Sequence, residues 1–193
     1  MAEIDKLNKK FQVSGFKFQV LKGAEVNILK DGSLDIKDEV LAKLDVVGVA
    51  VHSHFNLSRI EQTKRIIKAI SNKNADILFH PTGRVIQKRE AYEVDMDEII
   101  KVAKLTGTIL EIDAYPDRLD LKDEYVRKAV DGGVKLAVDT DAHAKADALL
   151  RRIDVEDDGI HFVALLEHLG RVVDLAGPGH VGDMHHAVDA FLE

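Results

Sequence analysis

The chain contains no cysteine and no tryptophan, and only 5% of its 193 residues are aromatic. The absence of cysteine excludes disulfide bonds and thiolate metal sites, and it leads us to expect a reducing cytoplasm as the compartment. No apolar run approaches the roughly 20 residues that cross a bilayer, so the sequence predicts no membrane partner. Residues 1–11 are charged and typical of a helix rather than of a signal peptide.

Basic residues are also in deficit. The chain has 27 Lys and Arg against 34 Asp and Glu, which gives a formal net charge of -7. Such a domain binds DNA poorly without further help, because attraction to phosphate requires an excess of positive charge. Bound metal ions would reverse the charge locally, so action on nucleic acid stays open.

The hydrophobic pattern predicts an α/β fold. With 46% hydrophobic and 32% charged residues, the chain suits one domain of ordinary size with a buried core. Nearly continuous apolar, β-branched segments alternate with amphipathic ones, as in a mostly parallel sheet covered on both faces. The predicted strands are 16–22, 45–51, 76–79, 108–113 and 134–138, with 25–29 extended; the predicted helices are 38–44, 58–71, 95–105, 122–130 and 144–152. Either an open sheet or a barrel fits this alternation.

The character of the chain changes near residue 154. Residues 154–159 read as a loop, 161–170 and 184–192 as helices, and 171–175 as a strand between them. We therefore divide the chain into an α/β domain over 1–153 and a tail over 154–193 that packs on the same domain.

Polar side chains stand at or near the carboxyl ends of the predicted strands. In parallel α/β folds these ends share one edge, where sites are built, so residues distant in sequence can converge there. The side chains concerned are Glu25, His52 with His54, His80, Glu111 with Asp113, and Asp139 with Asp141 and His143.

Imidazole and carboxylate groups without sulfur suit Zn, Mn or Fe. Several such ligands can hold two or more ions roughly 3.5–4 Å apart, which activate water and neutralise charge on phosphoryl oxygens. The alternative is that each residue is an ordinary polar strand terminator. That alternative is weaker for His52, His80 and the Asp141/His143 pair taken together.

Three stretches resemble one known family. They are KGAEVNILKDGSLDIKDEVLAKLDVVGVAVHSHFNLS, HPTGRVIQKREAYEVDMDEIIKVAKLTGTILEIDAYPDRLDL and GVKLAVDTDAH, and the match covers about residues 4–145. They are similar to the polymerase and histidinol phosphatase (PHP) domain appended to bacterial and archaeal family X DNA polymerases. The resemblance implies a distorted seven-stranded (β/α) barrel, a trinuclear metal centre and hydrolysis of phosphoesters linked to 3′ processing of DNA.

The resemblance also implies roles for particular residues. It makes Glu25, His52, His80, Asp141 and His143 metal ligands, with Asp141 counted among the catalytic groups. Arg84 of HPTGR becomes a candidate for holding a substrate phosphate, since a guanidinium binds phosphate through two parallel hydrogen bonds. An ion pair between Arg84 and a nearby carboxylate is the equal alternative.

Three other residues receive no ligand role. His54 reads as a loop histidine, and Glu111 and Asp113 suit hydrogen bonding at the sheet end. The family pattern leads us to expect Asn where this chain has Asp113.

The chain departs from the family pattern at both ends. The family begins with an HxH motif and a further Asp-His pair, and neither lies upstream of Glu25. We therefore expect an N-terminally incomplete barrel with about half of the metal ligands, and an atypical C-terminal segment. The stretch GHVGDMHH could supply replacement ligands. Histidines on helix surfaces are the favoured reading, because adjacent residues of a helix face different ways.

Three functions follow from this reading. The leading one is a phosphoesterase with divalent metal ions as cofactors, acting on a phosphomonoester or a nucleic-acid 3′ end. The alternative is a catalytically inactive PHP-fold module that serves as a scaffold. A weaker third reading is a single structural ion held by His52, His80 and His143. Exposed sheet edges in an incomplete barrel also lead us to expect a homodimer.

Overall fold

The computed structural model describes residues 2–13 and 19–141, and the backbone of residues 162–164. The helices are α1 (Ala2–Val13), α2 (Asp38–Leu41), α3 (Arg59–Ile70), α4 (Met96–Thr106) and α5 (Asp123–Gly132). The strands are β1 (Gly23–Asn27), β2 (Val46–Ala50), β3 (Ile77–Leu78), β4 (Ile109–Asp113), β5 (Leu136–Asp139) and β6 (Phe162–Ala164). No helix in this part of the chain is long and apolar enough to cross a membrane.

The six strands form one sheet in which every neighbouring pair is parallel. Their spatial order follows the chain, from β1 to β6, without the reversal found in doubly wound sheets. The predicted α/β class with parallel strands is confirmed. A sequential order is also that of a (β/α) barrel. Within the described residues β1 and β6 are the two end strands, so barrel closure stays a prediction.

Local sequence signals define where the long helices begin and end. The Ser58 side chain accepts from the backbone N–H of Glu61, and the Glu61 carboxylate accepts from the Ser58 N–H, which is the capping box predicted for α3. Asp95 likewise caps α4 by accepting from the Glu98 N–H. Helix α4 ends at Gly107, whose φ of 81° a residue with a side chain rarely adopts.

The two faces of the sheet carry different residues because side chains alternate along a strand. On β2, Val47 and Val49 belong to the main core with the helices, whereas Ala50 joins a smaller cluster with Phe79 on the opposite face. Gly48 lies on that second face under the Phe79 ring; a Cβ there would lie 1.9 Å from the ring. No helix of the described residues contributes a side chain to this second cluster, and its face is below called the helix-free face.

Two predicted elements were wrong. Residues 19–22 precede β1 without forming a strand; Asn8 of α1 instead pairs through its side chain with both the N–H and the carbonyl of Val20. Residues 162–164, predicted as part of a helix, form β6 beside β5. A short apolar run fits a helix or a strand equally well, and here pairing with a parallel neighbour decides. The remaining predictions for residues 142–161 and 165–193 lie outside the described residues.

Candidate metal centre

Three predicted ligands meet at one edge of the sheet. The Nε2 atoms of His52 and His80 lie 3.0 Å and 3.2 Å from the same oxygen of Glu25. The two imidazole rings are 5.2 Å apart and meet edge to face. One ligand atom from each of the three residues lies within 4.8 Å of the other two. Two imidazoles and a carboxylate at this spacing form a donor set that suits a divalent transition metal.

The parallel strands explain why these residues converge. Glu25 alternates with the core residues Val26 and Ile28 and therefore lies on the helix-free face. His52 follows the end of β2 by two residues, in phase with Ala50 of the same face. His80 follows β3 and has a φ of 29°, which turns the chain at this point. Side-chain exposure is 4% for His80 and 45% for His52, so the group has one buried wall and one wall open to solvent.

Hydrogen bonds within this group shift the pKa values of Glu25 and His52. Burial opposes ionisation of Glu25, but hydrogen bonds with His52 and His80 hold the pKa of its carboxyl well below the ordinary value. The hydrogen bond with Glu25 raises the pKa of His52 against the opposing effect of burial. The Glu25 carboxylate is thus held ionised and attracts positive charge, as a group that binds a cation must.

Asn27 and Asp35 orient His52 from behind. Asn27 lies two residues after Glu25 on β1, and its Nδ2 donates to Asp35 at 2.5 Å while its backbone N–H donates to the same carboxylate. This orientation turns the Asn27 amide oxygen towards His52 Nδ1, 2.6 Å away. Because an amide oxygen only accepts, Nδ1 carries the proton and Nε2 faces Glu25. Partners of this kind fix the ring and the tautomer of metal-ligating histidines.

Asp141 lies beside the group in an ion pair. Arg118 donates from an Nη atom to Asp141 Oδ2 at 2.6 Å, and its Nε lies 3.2 Å from Asp113 Oδ2. Asp141 has a φ of 46°, and its charge acts on His52, which places it near the imidazole. It is not one of the three residues whose ligand atoms lie within 4.8 Å.

Three buried carboxylates, Glu111, Asp113 and Asp139, follow on β4 and β5 and are here called the acidic cluster. Each is at most 4% exposed. Burial raises the pKa of Glu111 well above its ordinary value, with the Asp139 charge adding to the effect, and burial also raises the pKa of Asp139. Burial raises the pKa of Asp113 to about 6. Glu111 accepts a hydrogen bond from the His80 backbone N–H, which connects the cluster to the predicted ligands.

The HPTGR segment forms a fixed loop. Buried Asp120 accepts from the Thr82 N–H at 3.0 Å and from the Thr82 hydroxyl at 2.7 Å, and the Tyr92 hydroxyl donates to the Pro81 carbonyl at 2.7 Å. Arg84 donates to the Leu119 carbonyl. Arg84 thus donates to a backbone oxygen, whereas the alternative interpretation predicted an ion pair with a carboxylate.

Comparison with curated proteins finds relatives of two kinds. The chain is 48% identical over 141 residues to the DNA polymerase/3'-5' exonuclease PolX of Bacillus subtilis strain 168, an alignment that covers 73% of this chain. It is 36% identical over 139 residues, 67% of this chain, to a protein named probable phosphatase from Thermoanaerobacter sp. strain X514. A protein of the same name from Clostridium acetobutylicum is 30% identical over 133 residues, 64% of this chain. No family model matches the chain.

The chain belongs to the PHP family. It spans 24% of the length of the polymerase relative and 54% and 52% of the two phosphatases. These relatives confirm the resemblance to the PHP family that the sequence motifs indicated.

The structure brings Glu25, His52 and His80 of this PHP chain together, with Asp141 nearby. His143 and GHVGDMHH lie outside the described residues. His54, expected in a loop, is exposed there with a φ of 56°. Sequence reasoning missed the roles of Asn27, Asp35 and Arg118. The sequence carried a signal for Asn27, because side chains alternate along β1 and Asn27 therefore lies on the same face as Glu25. No sequence signal indicated the contacts of Asp35 and Arg118.

Proposed function

We propose that this PHP domain hydrolyses phosphoester bonds with divalent metal ions held by Glu25, His52, His80, Asp141 and His143. The observation that carries the proposal is that the imidazoles of His52 and His80 both lie next to one carboxylate oxygen of Glu25. Relatives that are named as phosphatases and as a polymerase with exonuclease activity support the same reaction class.

The residues fit a metal ion in three respects. The donor set has the nitrogen and oxygen atoms that Zn, Mn and Fe accept. His52 is already oriented by Asn27 with Nε2 towards the centre. Glu25 is held ionised, as a metal ligand must be.

The chain's own side chains would orient the metal ligands rather than attack the substrate. A bound divalent ion supplies, at such a site, an acidified water as nucleophile and neutralisation of charge on phosphoryl oxygens. Glu111 holds the His80 backbone, and Asn27 holds the His52 ring, so both imidazoles are fixed before substrate arrives. The exposed side of His52 leaves an approach for substrate.

The substrate proposed is a phosphomonoester or the 3′ end of a nucleic acid. The formal charge of -7 favours the small substrate, because a DNA-binding face needs positive charge. Hydrolysis of p-nitrophenyl phosphate, of bis-p-nitrophenyl phosphate and of a 3′-phosphorylated oligonucleotide distinguishes monoesters, diesters and DNA ends.

The first prediction concerns metal content and turnover together. We expect purified protein loaded with Zn, Mn or Fe to retain metal by mass spectrometry and to hydrolyse one of these substrates. His80→Ala and Asp141→Ala should each lower turnover by more than about 100-fold, because bound metal contributes several kcal/mol to the transition state. His54→Asn, an exposed loop variant that tolerates the left-handed backbone, should match the wild type.

Each other outcome selects a different function. Metal retention at one equivalent without turnover favours a structural ion, and no metal retention favours the inactive scaffold. Wild-type rates in His80→Ala and Asp141→Ala would refute the assignment of the site.

The homodimer also stays a prediction, which light scattering tests.

A further inference from the structure

Arg89 closes a short hairpin in the segment that follows β3. Its backbone N–H donates to the Val85 carbonyl at 2.8 Å, and its carbonyl accepts from the Val85 N–H at 2.9 Å. The hairpin is fixed to the loop after β4, because Lys88 Nζ lies 2.7 Å from the Asp117 carboxylate. Residues 85–89 are therefore held at the carboxyl edge of the sheet, where the candidate metal centre lies.

An aromatic stack supports the Arg89 side chain. The guanidinium carbon lies over the Phe55 ring, 4.4 Å from its centroid. Phe55 stacks in turn on Tyr92, with the ring centroids 6.1 Å apart and 23° between the ring planes. Arg89 Nε donates to the Gly83 carbonyl at 2.8 Å, which fixes the guanidinium at one edge. Tyr92 is the buried member of this stack and Arg89 the exposed one.

The loops that carry two of the predicted metal ligands also build this stack. Phe55 lies three residues after His52, and Gly83, which accepts from Arg89, lies three residues after His80. Among the described residues no carboxylate forms an ion pair with Arg89. Its guanidinium is therefore oriented beside the centre and available to a ligand.

We propose that Arg89, supported by Phe55 and Tyr92, binds a nucleobase of the substrate. This inference rests on the proposed function and restricts the substrate to phosphoesters of nucleosides. Because Phe55 covers one face of the guanidinium and Arg89 is exposed, the opposite face is open to solvent. A flat face binds a flat ring, as unstacked bases bind arginine planes and aromatic rings, whereas phosphate is bound by the N–H edge. Stacking needs no excess of positive charge, so it suits a chain with a net charge of -7.

Adenosine tests this site, because it carries a base but no phosphoester that the protein could hydrolyse. Equilibrium dialysis against the metal-loaded full chain measures its dissociation constant. We expect Arg89→Ala and Phe55→Leu each to weaken adenosine binding by about 5- to 100-fold, the range for loss of a base-stacking side chain. Arg127→Ala is the matched control, because Arg127 is an arginine of α5 with a side chain 79% exposed.

Inorganic phosphate separates a base site from a general disturbance of the metal centre. Metal content and phosphate affinity, the latter measured by calorimetry, should be the same in Arg89→Ala, Phe55→Leu and the wild type. Arg89→Lys keeps the charge but not the flat group, so it should bind adenosine as weakly as Arg89→Ala. Wild-type adenosine affinity in any of these three variants, or an equal loss of phosphate affinity, would overturn the proposal.

Two further comparisons complete the test. A trinucleotide of deoxyadenosine with phosphorothioate linkages distinguishes the source of the base: tighter binding than adenosine indicates a nucleic-acid end and equal binding a free nucleotide, and either supports the base site. Adenosine binding without turnover of any ester would refute the proposed hydrolysis and leave the base site standing. Turnover by a wild type that does not bind adenosine would overturn the base site alone.

Discussion

At the residue scale, the two ring nitrogens of His52 have different neighbours. Nε2 faces Glu25 and Nδ1 faces Asn27, which is fixed in turn by Asp35. Three side chains from β1 and the segment after it thus fix the orientation of one imidazole. A histidine held in this way loses little freedom on binding a metal, because its ring is already oriented.

Asn27→Ala should therefore weaken metal binding without disturbing the fold. We expect a loss of about 10- to 100-fold in metal affinity, the range for removal of a partner behind a metal-ligating histidine. Competition with a chromogenic chelator measures the dissociation constant. Asn56→Ala, at an exposed asparagine of the loop after β2, is the control. Equal affinities in the two variants would show that the Asn27 amide contributes nothing to the site.

At the scale of elements, a buried arginine on α3 joins the loops that leave β1 and β2. Arg65 is 2% exposed and donates to the carbonyls of Leu29 at 2.7 Å, Ser53 at 2.9 Å and Ile28. Ser53 is adjacent to His52. A single helix residue thus holds the backbone on both sides of the candidate centre.

Arg65→Met should lower the free energy of unfolding by about 2–4 kcal/mol, because it leaves several buried carbonyls without donors. Methionine fills similar space, so lost hydrogen bonds rather than a cavity cause the change. Urea denaturation measures it. Lys64→Met, one residue earlier and exposed, should change stability by less than about 0.5 kcal/mol. A loss in Arg65→Met no larger than that of the control would contradict this account of Arg65.

At the scale of the whole molecule, the acidic cluster couples stability to pH. Burial raises the pKa of Asp113 from 3.8 to about 6 and raises those of Glu111 and Asp139, so these groups hold protons more tightly when folded. Their contribution to stability is present below about pH 4 and is lost as pH rises through the folded pKa values. The raised pKa of His52, caused by Glu25, acts in the same direction.

We therefore expect the metal-free protein to lose stability between pH 5 and pH 7.5. Glu111→Gln should reduce that loss and raise stability at pH 7.5 by on the order of 1 kcal/mol, since an amide can still accept from the His80 N–H without ionising. Urea denaturation at the two pH values measures both effects. Glu90→Gln, an exposed site, is the control. An unchanged pH dependence in Glu111→Gln would count against the cluster as its source.

Periodicity and local signals in the sequence were enough for most of the described elements. The helices that start at Ser58 and Asp95 carry their own caps, and the long apolar strands admit one reading each. Residues 19–22 and residues 162–164 were the exceptions. At 162–164, three apolar residues become a strand only when a neighbour supplies hydrogen bonds.

The sequence by itself determined the residue types at the strand ends, and with them the kind of centre to expect. Parallel strands share one edge, so the meeting of Glu25, His52 and His80 could be expected before any coordinates. Only the tertiary structure decided the burial of Glu111, Asp113 and Asp139 and the pairing of Arg118 with Asp141. Burial and ion pairing depend on which distant side chains share a space, and no local pattern encodes that.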